Sequence, residues 1–262
     1  MKKKAALVAA MLTFTAAGAL NAHAGDLKVG ATPVPHAELL ELIRPALREQ
    51  GVNLEVVEFN DYVQPNLATA SGSLQANFFQ HRPYLDSFVS EHGVDLLAIA
   101  DIHIEPMGMY SRKFSRLEDL PAGARIAIPN DPTNGGRALL LLARHGVIGL
   151  RDPGDIKTTV LDVTANERKL SFVELEAALL PRTLDDVDAS IINTNFAMAA
   201  GLSPLKDAII IEDSTSPYVN VVVTTSAQKD SEDLHKLVGA LRSEQVRSYI
   251  TDKYQGAVVP AF

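Results

Sequence analysis

The stretch between Leu27 and Phe59 most constrains how this 262-residue chain can fold. LKVGA at Leu27–Ala31 is a short β-type run that ends at a proline-punctuated loop, Thr32–Pro35. Leu39, Leu40, Ile43, Ala46 and Leu47 then recur at helical spacing and give one apolar face to a helix that closes at Gly51. LEVVEF at Leu54–Phe59 reads as the next strand. A strand, a helix and a second strand in so short a span imply a right-handed crossover between parallel neighbours. The chain is therefore predicted to be an α/β protein.

The same alternation continues. Strands are predicted at Ala76–Gln80, Leu96–Ala100, Arg125–Pro129, Val160–Val163, Ala189–Ile192 and Val219–Thr224. Helices are predicted near Arg137–His145, Val173–Leu180 and Asn195–Ala200, with a last one over roughly Ser231–Lys253. Ile102–Tyr110 and Ser216–Val223 look extended and carry prolines. In a two-lobed protein they would serve as the two segments that cross between lobes.

Composition narrows the function. With 47% hydrophobic and 21% charged residues the chain can pack a core. It has no cysteine, which excludes thiol catalysis, zinc fingers and iron–sulfur clusters. A net charge of -8 speaks against binding nucleic acid, which needs a basic face. Residues 1–24 read as a secretory signal: Met1-Lys2-Lys3-Lys4, an apolar run from Ala5 to Leu20, and Ala22-His23-Ala24 as cleavage site. No other apolar run is long enough to span a bilayer. Neither G-x-S-x-G nor H-E-x-x-H occurs. His81, His103 and Glu105 match no metal-ligand spacing, so separate histidines are expected, with no metal and no cofactor. The chain is expected not to be an enzyme; a metal-binding protein or secreted enzyme is the contrasting reading.

Four places carry polar residues in suggestive settings. After the strand ending at Pro129, a helix is expected to begin near Thr133 or Asn134, with Arg137 in its first turn. A cation is disfavoured there unless an anion binds to the guanidinium and the free backbone N–H groups. A solvated arginine, or one paired with Asp131, is the alternative. Asn193-Thr194-Asn195 follows the strand at Ala189–Ile192; capping needs one of the three, so a surplus asparagine could face a ligand at the carboxyl edge of the sheet. Asn220 lies in a β-branched run and needs partners if buried, or solvent at an edge. Phe78 and Phe79 are neighbours on a strand and point to opposite faces, so one of them could line a pocket beside Tyr62 or His81. Together these pieces suit a zwitterion: Arg137 for a carboxylate, asparagine oxygens for an ammonium, and aromatics for an apolar side chain.

FFQHRPYL, PNDPTNGGRALLLL, INTNFAMAAGL and SPYVNVVV resemble, in order and spacing, the methionine-binding lipoprotein (NlpA) family of bacterial solute-binding proteins. The resemblance spans roughly Leu27–Phe262. It implies a two-lobed, type II-like periplasmic-binding fold, with two parallel-rich sheets joined by two crossover segments. One lobe would comprise residues 25–108 plus 220–262, the other residues 109–219. It implies a monomer that delivers L-methionine or a close analogue to a membrane ABC importer of permease and ATPase subunits. Alternative ligands are D-methionine, a methionine-containing dipeptide or another apolar amino acid. By resemblance Arg137 grips the α-carboxylate, and Asn195 and Asn220 hold the head group. Tyr62, Phe78, Phe79 and His81 would enclose the side chain, with Asn134 as a neighbour. Family members carry a lipid-bearing cysteine at the signal junction and this chain has none, so a protein free in the periplasm after cleavage at Ala24–Gly25 is expected.

Overall fold

The computed structural model describes residues 26–213 and 216–262; the secretory signal expected at residues 1–24 lies outside them. The first β-α-β unit forms as its pattern requires. β1 (Asp26–Ala31), α1 (Glu38–Glu49) and β2 (Asn53–Glu58) follow one another, and β1 pairs with β2 in parallel from Asp26↔Asn53 to Ala31↔Glu58. α2 (Gln64–Ala70), β3 (Ala76–His81), α3 (Arg82–His92) and β4 (Leu97–Ile104) come next, and β3 lies parallel to β1 on its other side. The apolar stripe of α1 (Leu39, Leu40, Ile43 and Leu47) is buried against this sheet. Each such side chain contributes about 1.5–3 kcal/mol by leaving water.

After Ile104 the chain leaves this sheet through Glu105-Pro106-Met107 and enters a second one at β5 (Gly108–Tyr110). β6 (Arg125–Pro129), α4 (Pro132–Arg144), the ribbon of β7 (Gly149–Leu150) with β8 (Val163–Ala165), and β9 (Ser171–Leu175) follow. β10 (Ala189–Ile192), α5 (Thr194–Ala199), α6 (Pro204–Asp207) and β11 (Ala208–Ile211) complete this part. The second sheet has the order β11-β5-β10-β6-β9, parallel at β10-β6-β9 and antiparallel around β5. Its core joins Leu139, Leu141 and Leu142 of α4 to Ile126, Ile128 and Ile191.

The chain returns to the first sheet between Ile211 and Val219. β12 (Val219–Thr224) inserts antiparallel between β3 and β4, and α7 (Glu232–Leu241), α8 (Glu244–Tyr254) and β13 (Val259–Pro260) end the chain. The first sheet then reads β13-β4-β12-β3-β1-β2. Among the described residues no helix is long and apolar enough to cross a membrane.

Four local expectations are corrected. Val173–Leu180 is not a helix: Ser171–Leu175 is a strand in parallel register with β6, and Ala177–Asp185 is 3-10 helix. Ladder pairing there overrides a locally helical spacing. Val160–Val163 is not a strand, because Thr159 and Asp162 close a capping box around a 3-10 turn. The last helix is two, broken at Ser243, whose side chain caps α8 by accepting the Val246 N–H. Finally, α4 begins at Pro132 with Asp131 as its cap, not near Thr133. Asp at the cap and Pro in the first position is a stronger start than any later one.

Candidate functional site

The first-turn argument for Arg137 changes with the start of α4. Arg137 is the sixth residue of the helix, beyond the first turn, and its charge is met within the protein. Its Nε donates to Glu212 Oε1 at 2.9 Å and its Nη2 to Glu212 Oε2 at 2.6 Å. Nη2 also donates to the Glu105 backbone carbonyl at 2.7 Å, and the guanidinium lies over the Tyr218 ring at 4.2 Å. Nη1 has no hydrogen bond among the described residues, and Arg137 lines a small cavity of about 20 Å³.

That cavity lies where the two sheets meet, and both sides supply its walls. From the first sheet and its loops come Tyr62, Phe79, His81 and Asn220; from the second side come Asn134, Arg137 and Asn195. Seven of the eight expected residues are thus brought together. Phe78 is the correction. Strand alternation turns it away from Phe79 into the core, where its ring meets His36 edge-on at 4.7 Å and His103 at 5.3 Å.

The aromatic wall centres on Tyr62, with ring centroids 5.8 Å from Phe79, 5.7 Å from Tyr84 and 4.9 Å from Phe196. Its hydroxyl donates to Asn195 Oδ1 at 2.6 Å. His81 caps α3 by accepting the Tyr84 N–H on Nδ1 at 3.1 Å, which leaves Nε2–H to donate to Asn134 Oδ1 at 3.0 Å. Burial, reinforced by the Arg137 charge, pushes His81 down to about 3, so its imidazole is neutral at ordinary pH. Asn134 Oδ1 also accepts from Asn193 Nδ2 at 2.8 Å, while its own amide donates to Asp131. Among the described residues, Asn193 Oδ1 and Asn195 Nδ2 are buried without a partner. The walls therefore present an amide acceptor, an amide donor and a guanidinium edge to whatever enters.

Beneath this wall, Glu105 Oε1 lies 2.7 Å from His103 Nε2 and 3.2 Å from His36 Nε2. His36 is fixed by Thr32 Oγ1 at Nδ1 (2.8 Å) and approaches Asn220 Oδ1 at 3.1 Å. Desolvation lowers His36 to about 4 and His103 to about 3, and raises Glu105 above the usual carboxylate range. The ligating atoms of these three side chains lie within 4.8 Å of one another, close enough to hold a metal ion. Two neutral imidazoles donating to one buried carboxylate explain the same arrangement by hydrogen bonding. The expectation of separate histidines is corrected to this extent: His103 and Glu105 do meet, with His36 rather than His81.

Sequence patterns did not point to Tyr84, Phe196, Glu212 or Tyr218, and they offered a surplus asparagine at Asn193-Thr194-Asn195 without choosing between the two. Asn193 lay beside a chosen residue, and its place before a helix made it resemble a cap. Glu212 had no signal: an acid in a connecting segment reveals its partner only when that segment is folded against α4.

Residues 27–262 match the family model described as NlpA lipoprotein. The chain is 42% identical over 236 residues to the D-methionine-binding lipoprotein MetQ of Escherichia coli (strain K12), covering 89% of this chain and 87% of that protein. It is 42% identical over 242 residues to outer membrane lipoprotein 3 of Mannheimia haemolytica, covering 92% of each. A nutrient binding protein from Burkholderia cenocepacia, solved bound to methionine, shares the fold with a TM-score of 0.87 and 48% identity, covering 90% of this chain and 100% of that one. These names overturn the expectation of a protein free in the periplasm: the relatives are named lipoproteins. By family model and by relatives matched over most of their length, the chain belongs to the NlpA lipoprotein family.

Proposed function

We propose that this protein is the substrate-binding component of an ABC importer and captures L-methionine between two lobes built on the two sheets. The observation that carries the reading is the cavity itself, where Arg137, the unpartnered Asn193 Oδ1 and Asn195 Nδ2, and the aromatic group around Tyr62 converge. Arg137 Nη1 and Asn195 Nδ2 receive the carboxylate. Asn193 Oδ1 and the Glu105 carboxylate receive the ammonium. Tyr62, Phe79 and Tyr84 cover the thioether chain, and sulfur adds favourable contact with ring edges. The first lobe would hold residues 26–104 and 219–262 and the second 108–211, close to the division expected from sequence. Ligand contacts from both lobes favour the closed arrangement, which the importer reads. The methionine-bound relative and the MetQ name support this ligand. The D-methionine-binding name of several relatives favours a second reading in which the D-isomer is also taken.

Thermal unfolding against a panel of amino acids tests the proposal, using protein first unfolded, dialysed and refolded. Methionine at about a thousand times its dissociation constant should stabilise by about 4 kcal/mol. For a chain of this size that is a rise of roughly 8–16 °C in Tm. No shift with either isomer would discard the ligand.

A further inference from the structure

We infer that Glu212 is the specificity-determining residue that makes this cavity select zwitterions over simple carboxylates, acting through Arg137. The inference rests on the proposed ligand class and goes beyond it, because Glu212 itself does not line the cavity.

Glu212 and Arg137 form a two-point ion pair with both side chains about 3% exposed. Glu212 takes the Nε–H and one Nη2–H of the guanidinium, and the Glu105 carbonyl takes an Nη2–H as well. A carboxylate entering the cavity thus meets the Nη1 edge of an arginine whose charge is already balanced, not a free cation. The other carboxylates nearby, buried Glu105 beneath the wall and half-buried Asp131 behind Asn134, add no positive charge. His36, His81 and His103 are neutral and add none either.

An anion that gives up its water for such a place gains too little attraction to offset its desolvation. A ligand that carries its own ammonium enters with no net charge, and its cationic end complements the acids that Arg137 leaves unbalanced. Glu212 also accepts the Met107 N–H at 3.0 Å, in the segment that crosses between the sheets. The guanidinium is therefore fixed to the crossing point, and its aim does not depend on the ligand.

The test compares L-methionine with 4-(methylthio)butanoate, which has the same thioether and carboxylate and no ammonium. Calorimetric titrations are run on refolded wild-type protein and on Glu212→Gln and Glu212→Asp. The wild type is expected to prefer methionine by at least about 100-fold, the scale of one unit charge acting at close range in a partly desolvated site. Glu212→Gln should narrow that ratio at least about tenfold, chiefly by improved binding of the desamino acid. Glu212→Asp keeps the charge and should keep the ratio even where both ligands weaken. Equal weakening of both ligands in Glu212→Gln would reduce Glu212 to a structural support and overturn the inference. A wild-type preference below about tenfold would overturn it with no variant needed. Should Glu212→Gln fail to fold, the aspartate variant decides: a retained ratio supports the inference and a lost one ends it. Failure of the wild type to bind methionine of either hand is a different result, and it removes the ligand reading itself.

Discussion

His36, His81 and His103 are buried as neutral imidazoles, and this sets the response to acid. Each has its folded pKa pushed below 6.5, so between pH 6.5 and about 4 the unfolded chain binds more protons than the folded one. Stability should therefore fall as pH drops from 7 to 5, on the order of 1–2 kcal/mol per histidine. Glu105, raised by burial, is linked in the opposite sense, and its contribution diminishes as pH rises through its folded value. Urea unfolding at pH 7 and pH 5 measures the sum, and a flat profile would contradict neutral burial. Phe78 gives a second residue-scale prediction. Phe78→Ala should cost about 3–5 kcal/mol of stability, as a large core side chain does. Methionine should still raise the Tm of the variant, because the ring faces the core. Loss of the ligand shift in a folded variant would return Phe78 to the cavity.

α4 shows how an element carries the site to its place. Asp131 accepts the Asn134 N–H at 2.9 Å and starts the helix, and Gly135 and Gly136 let it approach its neighbours closely. A Cβ at Gly136 would lie 2.5 Å from the Ile156 carbonyl and 3.0 Å from that of Thr158. Alanine in a helix interior normally stabilises by about 1 kcal/mol relative to glycine. Here the sign should reverse: Gly136→Ala should lower stability by about 1–3 kcal/mol, as overpacking does. It should also weaken methionine binding by shifting Arg137 one residue away. Chemical unfolding and titration of the same variant check both, and a stabilised variant would refute the close approach. The strand signal at Arg125–Pro129 and the glycines beside Arg137 were legible locally. The strand at Ser171–Leu175 was not, since it pairs with β6, 46 residues earlier in the chain.

At the scale of the molecule, polar contacts join the two sides alongside apolar ones such as the Tyr62–Phe196 ring pair. Tyr62 OH to Asn195 Oδ1 and His81 to Asn134 each link a group of the first sheet's side to one of the second's. Tyr62→Phe keeps the ring stack with Phe196 and deletes one of these bonds. It should weaken methionine binding by about 0.5–1.5 kcal/mol and enlarge the radius of gyration seen by small-angle scattering. Unchanged affinity and radius would place the hydroxyl outside the closing contact. The sequence by itself determined the order of strands and helices over most of the chain, because periodicity and capping are local, and its long motifs carried seven of the eight expected residues that line one cavity. Only the tertiary structure decided which face of β3 Phe78 takes, that Ser171–Leu175 is a strand, that His36 joins His103 and Glu105, and that Arg137 answers to Glu212. Those outcomes depend on register and on contacts between residues as much as 75 positions apart, which no local pattern encodes.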